Sequence, residues 1–137
     1  MQAVIAVVLL AIAAGVALWL ERRRHATALP TPATAPVPQQ LQRADFARPD
    51  APWLVVLFSS STCDGCKPMA EKVRALESAD VAVVVVEYSS DPELHARYGI
   101  EAVPIVVVAD HEGVTRTSFA GTATATDLWA AVAELRA

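Results

Sequence analysis

A run of apolar residues leads into a pair of cysteines in the stretch Trp53-Leu-Val-Val-Leu-Phe-Ser-Ser-Ser-Thr-Cys-Asp-Gly-Cys66. The apolar run is rich in β-branched residues and shows no alternation with polar positions, which predicts a strand buried on both faces of a sheet. After the cysteines, Met69, Val73 and Leu76 recur at the spacing of one helix face. The two thiols are therefore expected between a buried strand and the start of a helix.

Similar patterns on either side of this stretch predict one small α/β domain from Leu41 to Ala137. Strands separated by helices favour parallel pairing, and a hairpin adds an antiparallel edge, so the predicted fold is a central mixed sheet flanked by helices. On the last helix, Trp129 is expected to join Leu128 in the core. The predicted strands are at 53–58, 81–88, 104–109 and 114–119, with a turn at 110–113 between the last two. Helices are predicted at 66–79 and 124–136. A further helix is predicted to begin at Ser90, with Pro92 in its first turn.

The spacing of Cys63 and Cys66 suits thiol–disulfide exchange. At a helix start, free backbone N–H groups and the positive end of the helix dipole favour the thiolate of Cys63. That thiolate would attack a substrate disulfide, and Cys66 would then resolve the mixed disulfide. The alternative is an inert buried pair or two structural metal ligands, but a closed zinc site needs four ligands and the sequence has no second cysteine pair. We expect no metal and no bound cofactor, because the cysteine pair is itself the redox couple.

Four motifs follow one another along the domain, namely Phe58-x4-Cys63-x2-Cys66-Lys67, Tyr98-Gly-Ile-x-x-Val-Pro104, the hairpin at Gly113, and Phe119-Ala-Gly121. In these motifs the chain resembles the thioredoxin superfamily over nearly all of Leu41–Ala137. The resemblance implies a thioredoxin fold and thiol–disulfide oxidoreductase activity. It also implies a cis peptide bond before Pro104, which packs beside the cysteines, and a backbone at Val103 that binds an extended peptide. Thr62 is expected to contact the substrate from the loop before the first cysteine.

Several positions depart from the pattern of typical thioredoxins. Leu57 stands where they have a buried aspartate that moves a proton to or from the second cysteine, and Val85 stands where they have its lysine partner. Thr62 replaces a tryptophan, and Asp64-Gly65 replaces Gly-Pro. The chain before Trp53 is also short, which predicts a reduced first helix. These departures indicate a specialised membrane-tethered relative.

Three residues around the cysteines are expected to set the reactivity of Cys63. The carboxylate of Asp64 opposes the thiolate by like-charge repulsion, whereas Lys67 and the helix dipole favour it. Gly65 is expected to add backbone freedom without charge. An alternative role for Asp64 is to cap the helix, since aspartate is common at helix starts.

Other polar residues give weaker indications of function. His95 lies on a predicted helix and His111 in a turn, and we expect both to be solvated and not to bind a metal. Glu87 ends a buried strand, where it is expected to be a surface carboxylate. Its alternative role is to accept a proton in place of the missing aspartate.

Residues 1–21 are predicted to form a membrane anchor, followed by a basic cluster and proline-rich linker at 22–40. The run 3–20 carries no charge and is just long enough to cross a bilayer, with Trp19 at the interface. A cleaved signal peptide is the alternative, but no lysine or arginine precedes the run and charges follow it at once. Arg22–Arg24 favour a single-pass protein with a cytoplasmic domain. Uncharged, proline-rich linkers of this kind are frequent on the outer side of the membrane, so an extracytoplasmic domain is the alternative.

The charge of the domain excludes one class of partner. From residue 26 onward, eight lysines and arginines face fourteen aspartates and glutamates, a net charge of −6, so no nucleic acid is expected. The sequence favours a membrane-tethered oxidoreductase that exchanges with protein or small-molecule disulfides and draws on a separate electron donor. One alternative is copper(I) handling by the two soft thiolates. The other is a tethered peptide-binding module with weak catalysis.

Overall fold

The computed structural model describes residues 1, 11–16 and 35–137. The chain divides into the units Met1–Thr31 and Pro32–Ala137. In the first, residues 11–16 are helical and exposed. Most of the predicted anchor and linker lie outside the described residues. Among the helices that the structure does describe, none combines the length and apolar character needed to cross a bilayer.

The second unit is built on a four-stranded mixed sheet with the spatial order β2-β1-β3-β4. Strand β1 pairs in parallel with β2 and antiparallel with β3, and β3 pairs antiparallel with β4. The mixed sheet flanked by helices is confirmed. The elements are β1 (Trp53–Ser59), α1 (Cys66–Arg74), β2 (Val81–Glu87), α2 (Pro92–Arg97), β3 (Ile105–Ala109), β4 (Thr115–Ala120) and α3 (Ala125–Arg136).

The expectation that helix-separated strands run in parallel holds for β1 and β2 but is wrong for β3. Helix α2 has six residues and rises only about 9 Å, well short of the length of β2. The chain therefore enters β3 at the end of the sheet where β2 finishes, and it must run back in the opposite direction. As a result, the cysteine loop after β1, the loop after β2 and the segment before β3 all lie at one end of the sheet.

Both faces of the sheet are covered, as the unbroken apolar runs predict. Six of the seven residues of β1 and all five of β3 are buried. One face packs Leu54 and Phe58 against the segment that precedes β1, and the other packs Leu57 against Met69 and Leu128. Each such side chain contributes about 1.5–3 kcal/mol when fully buried. The middle of β2 is only half-buried, because this strand lies at the edge of the sheet.

Two helical predictions need correction. Helix α1 ends at Arg74 and not at Ala79, because the next turns close with i→i+3 bonds, such as Leu76 N–H to the Val73 carbonyl at 3.0 Å. Trp129 is 46% exposed and does not join the core. Leu128 faces the sheet, so the next residue is turned about 100° away from it. The Trp129 indole instead donates to the Lys72 carbonyl at 3.3 Å.

Between residue 35 and β1 the only helical element is a 3₁₀ turn at Arg43–Asp45, so the predicted reduction of the first helix is confirmed. The Asp45 carboxylate binds both the Tyr98 hydroxyl and Arg97 at the end of α2. Hydrogen bonds from Tyr98 and Arg97 hold the pKa of Asp45 below its usual range, although partial burial opposes them. This contact fastens the N-terminal segment to α2.

Candidate redox site

Cys63 and Cys66 are joined in a disulfide, with their Cα atoms 5.4 Å apart. Cys63 lies in the loop after β1 and is half-buried, whereas Cys66 is the first residue of α1 and is 1% exposed. A substrate sulfur can therefore reach Cys63 but not Cys66. The geometry therefore distinguishes an outer cysteine from an inner one.

Hydrogen bonds within the loop hold Cys63 in place. Its backbone N–H donates to the Ser60 carbonyl at 3.2 Å, and its own carbonyl accepts from the Cys66 N–H at 3.2 Å. The hydroxyl of Ser60 lies 3.0 Å from that of Thr62. The loop that carries the outer cysteine is thus ordered by its own backbone before any substrate arrives.

Helix α1 begins without a side-chain cap. Gly65 is the N-cap residue and no side chain accepts a hydrogen bond there, so the capping role considered for Asp64 is wrong. The φ angle of Gly65 is −76°, which any residue adopts, so backbone freedom does not explain this glycine. A Cβ on Gly65 would lie 2.9 Å from Cγ2 of the exposed Thr122, so that side chain would have to shift. Asp64 and Lys67 are both exposed beside the cysteines.

Pro104 lies at the same end of the sheet and is preceded by the cis peptide bond that the resemblance implies. Its ring is close to the cysteine loop, since a Cβ on Gly65 would lie 4.0 Å from its Cδ. Its carbonyl accepts a hydrogen bond from the Gly121 N–H at 2.8 Å. Val103 is half-buried beside it. The structure thus brings the cysteine loop, the start of β3 and the end of β4 together.

Glu87 ends β2 and binds the two loops on either side of it. Its carboxylate accepts from the Ser61 N–H at 2.8 Å, before the cysteines, and from the Ser89 N–H at 2.8 Å and the Ser90 N–H at 3.2 Å, after β2. The bond from Ser61 is the main reason why the pKa of Glu87 lies below its ordinary value. Its oxygens are occupied in fastening loops, which favours a structural role over proton transfer.

His95 is 2% exposed, so the expectation that it is solvated is wrong. Its Nε2 lies 3.0 Å from the Val86 carbonyl, which can only accept, so Nε2 carries a proton and donates it. Its ring packs edge-on against Phe58 in the core and Tyr88 at the surface. This satisfied hydrogen bond offsets much of the cost of burying the imidazole. His111 is exposed in the β3–β4 turn, as expected.

An apolar side chain occupies the position where the resemblance implies a buried acid. Leu57 is fully buried and packs in a cluster with Met69 and Val106. Val85 is half-buried on β2 and packs against the same cluster. The face of the sheet that packs against α1 is therefore apolar at these two positions.

A cavity of about 410 Å³ opens beside the cysteine loop. Thr62 and Val103 line it from the two sides, and each is next in the chain to Cys63 or Pro104. Sequence reasoning named these two residues as substrate contacts and placed Ser60 on the approach to Cys63, but it missed Tyr88 and Glu101. A signal was available, because β1 and β2 are parallel and the residues that follow them must meet at one end of the sheet. The other lining residues include Ser60, Tyr88, His95 and Glu101.

The fold and the site define a small α/β domain with a surface dithiol–disulfide pair. The family model of the thioredoxin-like domain matches residues 40–136, and the chain belongs to this family. The domain has the thioredoxin-like fold.

Two solved structures share this fold. The chain is similar to the X-ray structure of Fasciola hepatica thioredoxin, with 28% identity and a TM-score of 0.54, covering 63% of this chain and 83% of that one. It shares its fold with a malarial protein at 12% identity and a TM-score of 0.54, covering 61% of this chain and 96% of that one. A comparison with curated proteins gave no match.

Proposed function

We propose that this protein is a membrane-tethered thiol–disulfide oxidoreductase that acts through Cys63 and Cys66. The observation that carries the proposal is the unequal exposure of two bonded cysteines, the outer one half-buried and the inner one 1% exposed. This arrangement suits thiol–disulfide exchange, since the exposed sulfur can meet the substrate while the buried one is kept for the second step. Val103, Pro104 and Thr62 are the proposed substrate contacts.

The reducing reaction starts from the dithiol form. The Cys63 thiolate attacks one sulfur of a substrate disulfide, which forms a Cys63–substrate bond and releases the other substrate sulfur as a thiolate. Cys66 loses its proton and attacks the Cys63 sulfur. The mixed disulfide then breaks, the second substrate thiolate leaves, and the Cys63–Cys66 disulfide forms. The substrate gains two electrons, and a separate dithiol donor must return two electrons to the protein for another turnover.

The tether and the direction of the reaction rest on the uncharged run at residues 3–20 and on Arg22–Arg24. If the positive cluster keeps the domain in the cytoplasm, reduction is the expected direction, because that compartment keeps thiols reduced. An extracytoplasmic domain would serve as a reductant fed by a membrane electron carrier. Cysteine labelling of intact cells with a reagent that does not cross the membrane distinguishes the two sides.

The test uses the full-length chain in a neutral detergent, with a dithiol donor and a protein disulfide as substrate. Activity that is lost in Cys63→Ser supports the proposal. The Cys66→Ala variant should accumulate a mixed disulfide through Cys63, which intact mass spectrometry detects, and Cys63→Ala is the matched control that should accumulate none. Wild-type protein without turnover contradicts the proposal. In that case stoichiometric binding of copper(I) would favour copper handling, and peptide binding alone would favour a tethered module.

A further inference from the structure

The cavity beside Cys63 is placed to contact the part of a substrate next to its reacting sulfur. Thr62 and Val103 line it, and their chain neighbours are Cys63 and the buried Pro104. A volume of about 410 Å³ is large enough for one long side chain of a bound peptide. Whatever this cavity prefers would therefore influence which disulfides react at Cys63.

Tyr88 supplies an aromatic wall to the cavity. Its side chain is 54% exposed, although it packs edge-on against His95 with the ring centres 5.3 Å apart. His95 is itself fixed, because it is bonded to the Val86 carbonyl and packs against Phe58 at 5.4 Å. The contact with His95 thus holds one edge of the tyrosine ring, while the rest of the ring stays open to a ligand. Binding therefore requires little further ordering of this side chain.

Glu101 supplies a negative charge to the same cavity. It is exposed, and of the described residues that line the cavity it is the only aspartate, glutamate, lysine or arginine. Within residues 35–137 the ion pairs of the protein involve other carboxylates. The carboxylate of Glu101 is therefore available to a ligand. No lysine or arginine among the described residues of the wall competes for it.

We infer that this cavity is a subsite for a lysine or arginine side chain that neighbours the reacting cysteine of a polypeptide substrate. The inference rests on the proposed oxidoreductase function and names its substrate class. A cation placed between a carboxylate and an aromatic face gains both an ion-pair and a cation–π interaction. Arginine fits best, since its planar guanidinium stacks on an aromatic ring while it donates to a carboxylate. A purely apolar side chain would leave the carboxylate without a partner.

The test compares three peptides that each contain one intramolecular disulfide and differ only beside the first cysteine, with arginine, citrulline or glutamate. Citrulline matches the shape of arginine but carries no charge. For the reduced full-length chain, we expect the second-order rate constant to be about threefold to fivefold higher for arginine than for citrulline, and lowest for glutamate. The preference should shrink as salt is added, because the subsite is open to solvent.

Substitutions at Glu101 and Tyr88 test whether these two residues cause the preference for arginine. Glu101→Gln should bring the arginine-to-citrulline ratio close to one, and Tyr88→Leu should lower it. Glu112→Gln is the matched control, since this exposed carboxylate lies in the β3–β4 turn at the opposite end of the sheet, and its ratio should stay unchanged. Equal ratios in wild-type protein and Glu101→Gln would overturn the inference.

A small uncharged disulfide separates this inference from the proposed function. If wild-type protein reduces it but shows no preference for arginine, only the subsite is wrong. If wild-type protein reduces no disulfide, the proposed function fails, and binding of the same peptides with serine in place of both cysteines still tests the subsite. The Tyr88 ring resonances should then shift with the arginine peptide and not with the citrulline peptide, and the absence of that difference would overturn the inference.

Discussion

The hydroxyl of Tyr98 donates a hydrogen bond to the carboxylate of Asp45 and accepts one from the Gln42 N–H at 3.0 Å. Arg97 donates to the other oxygen of the same carboxylate at 2.6 Å. These bonds connect the 3₁₀ turn before β1 to the end of α2. In a domain whose first helix is reduced, they hold the N-terminal segment over one face of the sheet.

Replacing Tyr98 with phenylalanine should therefore destabilise the domain without disturbing its core. The phenyl ring retains the packing against Phe46 and Phe58, whose ring centres lie 5.8 and 6.0 Å away. Loss of the hydroxyl removes the hydrogen bond to the Asp45 carboxylate and the one from the Gln42 N–H, which at this partly exposed site should lower the free energy of unfolding by about 1–2 kcal/mol. Urea unfolding followed by circular dichroism measures the difference. An unchanged midpoint would show that the contact contributes nothing.

The same contact predicts a loss of stability at both ends of the pH range. The pKa of Asp45 is lowered chiefly by the bond from Tyr98, so its contribution is complete above the unfolded value of about 3.9 and is lost as pH falls through the folded value. Burial, and next the bond to Asp45, raise the pKa of Tyr98, so its contribution is complete below about 10 and is lost as pH rises through the folded value. Thermal unfolding across pH, with Tyr98→Phe and Asp45→Asn, tests both limbs. In Asp45→Asn, stability should fall less steeply as the pH is lowered. If it falls as steeply as in the wild-type protein, Asp45 is not the cause of the acid-side loss.

Loss of the Glu87 carboxylate should loosen the loops on both sides of the redox site at once. The backbone N–H groups of Ser61, Ser89 and Ser90 all donate to it. In Glu87→Ala, amide exchange at Ser61 and Ser89 should accelerate together, and exchange at Ser90 should change less, because its N–H also donates to the main-chain carbonyl of residue 87 at 3.1 Å. Glu87→Gln should retain part of the protection because its amide oxygen still accepts. Hydrogen exchange by nuclear magnetic resonance measures each site, with Glu77→Gln as an exposed control. Acceleration confined to one loop would show that Glu87 does not connect them.

Removing the charge of Asp64 should favour the Cys63 thiolate. Asp64 is exposed next to Cys63 and does not cap α1, so its carboxylate acts on the thiolate as a nearby like charge. In Asp64→Asn the pKa of Cys63 should decrease, with a thiolate fraction at neutral pH about twofold to threefold higher. Ultraviolet absorbance of the reduced protein measures this fraction. Asp80→Asn, placed before the start of β2 at the far end of the sheet, is the control, and an equal effect in both variants would contradict a local cause.

The strands and the dithiol site were predictable because their signals are local. The unbroken apolar runs at 53–58 and 104–109 require burial on both faces wherever they occur, and a pair of cysteines before a helix restricts the chemistry that is available. The turn at Asp110–Gly113 also follows from local sequence. Gly113 adopts a φ of 83°, and its N–H donates to the Asp110 carbonyl at 3.0 Å.

The errors concern features that depend on distant parts of the chain. His95 can be buried only because the Val86 carbonyl is available to accept its hydrogen bond. The exposure of Trp129 depends on where α3 lies against α1. The direction of β3 depends on the rise of α2, which the helix start at Ser90-Asp-Pro92 does not reveal. The anchor predicted for residues 1–21 remains a prediction.

The disulfide between Cys63 and Cys66 spans a separation of only three residues. A cross-link stabilises a fold mainly by lowering the chain entropy of the unfolded state, and for so small a ring this effect is about 2 kcal/mol, compared with about 3 kcal/mol for a loop of fifteen residues. The buried sheet, and not the cross-link, therefore carries most of the stability of this domain. Oxidation and reduction can alternate at its surface while the scaffold persists, and the two redox forms then differ in free energy of unfolding by about the same 2 kcal/mol.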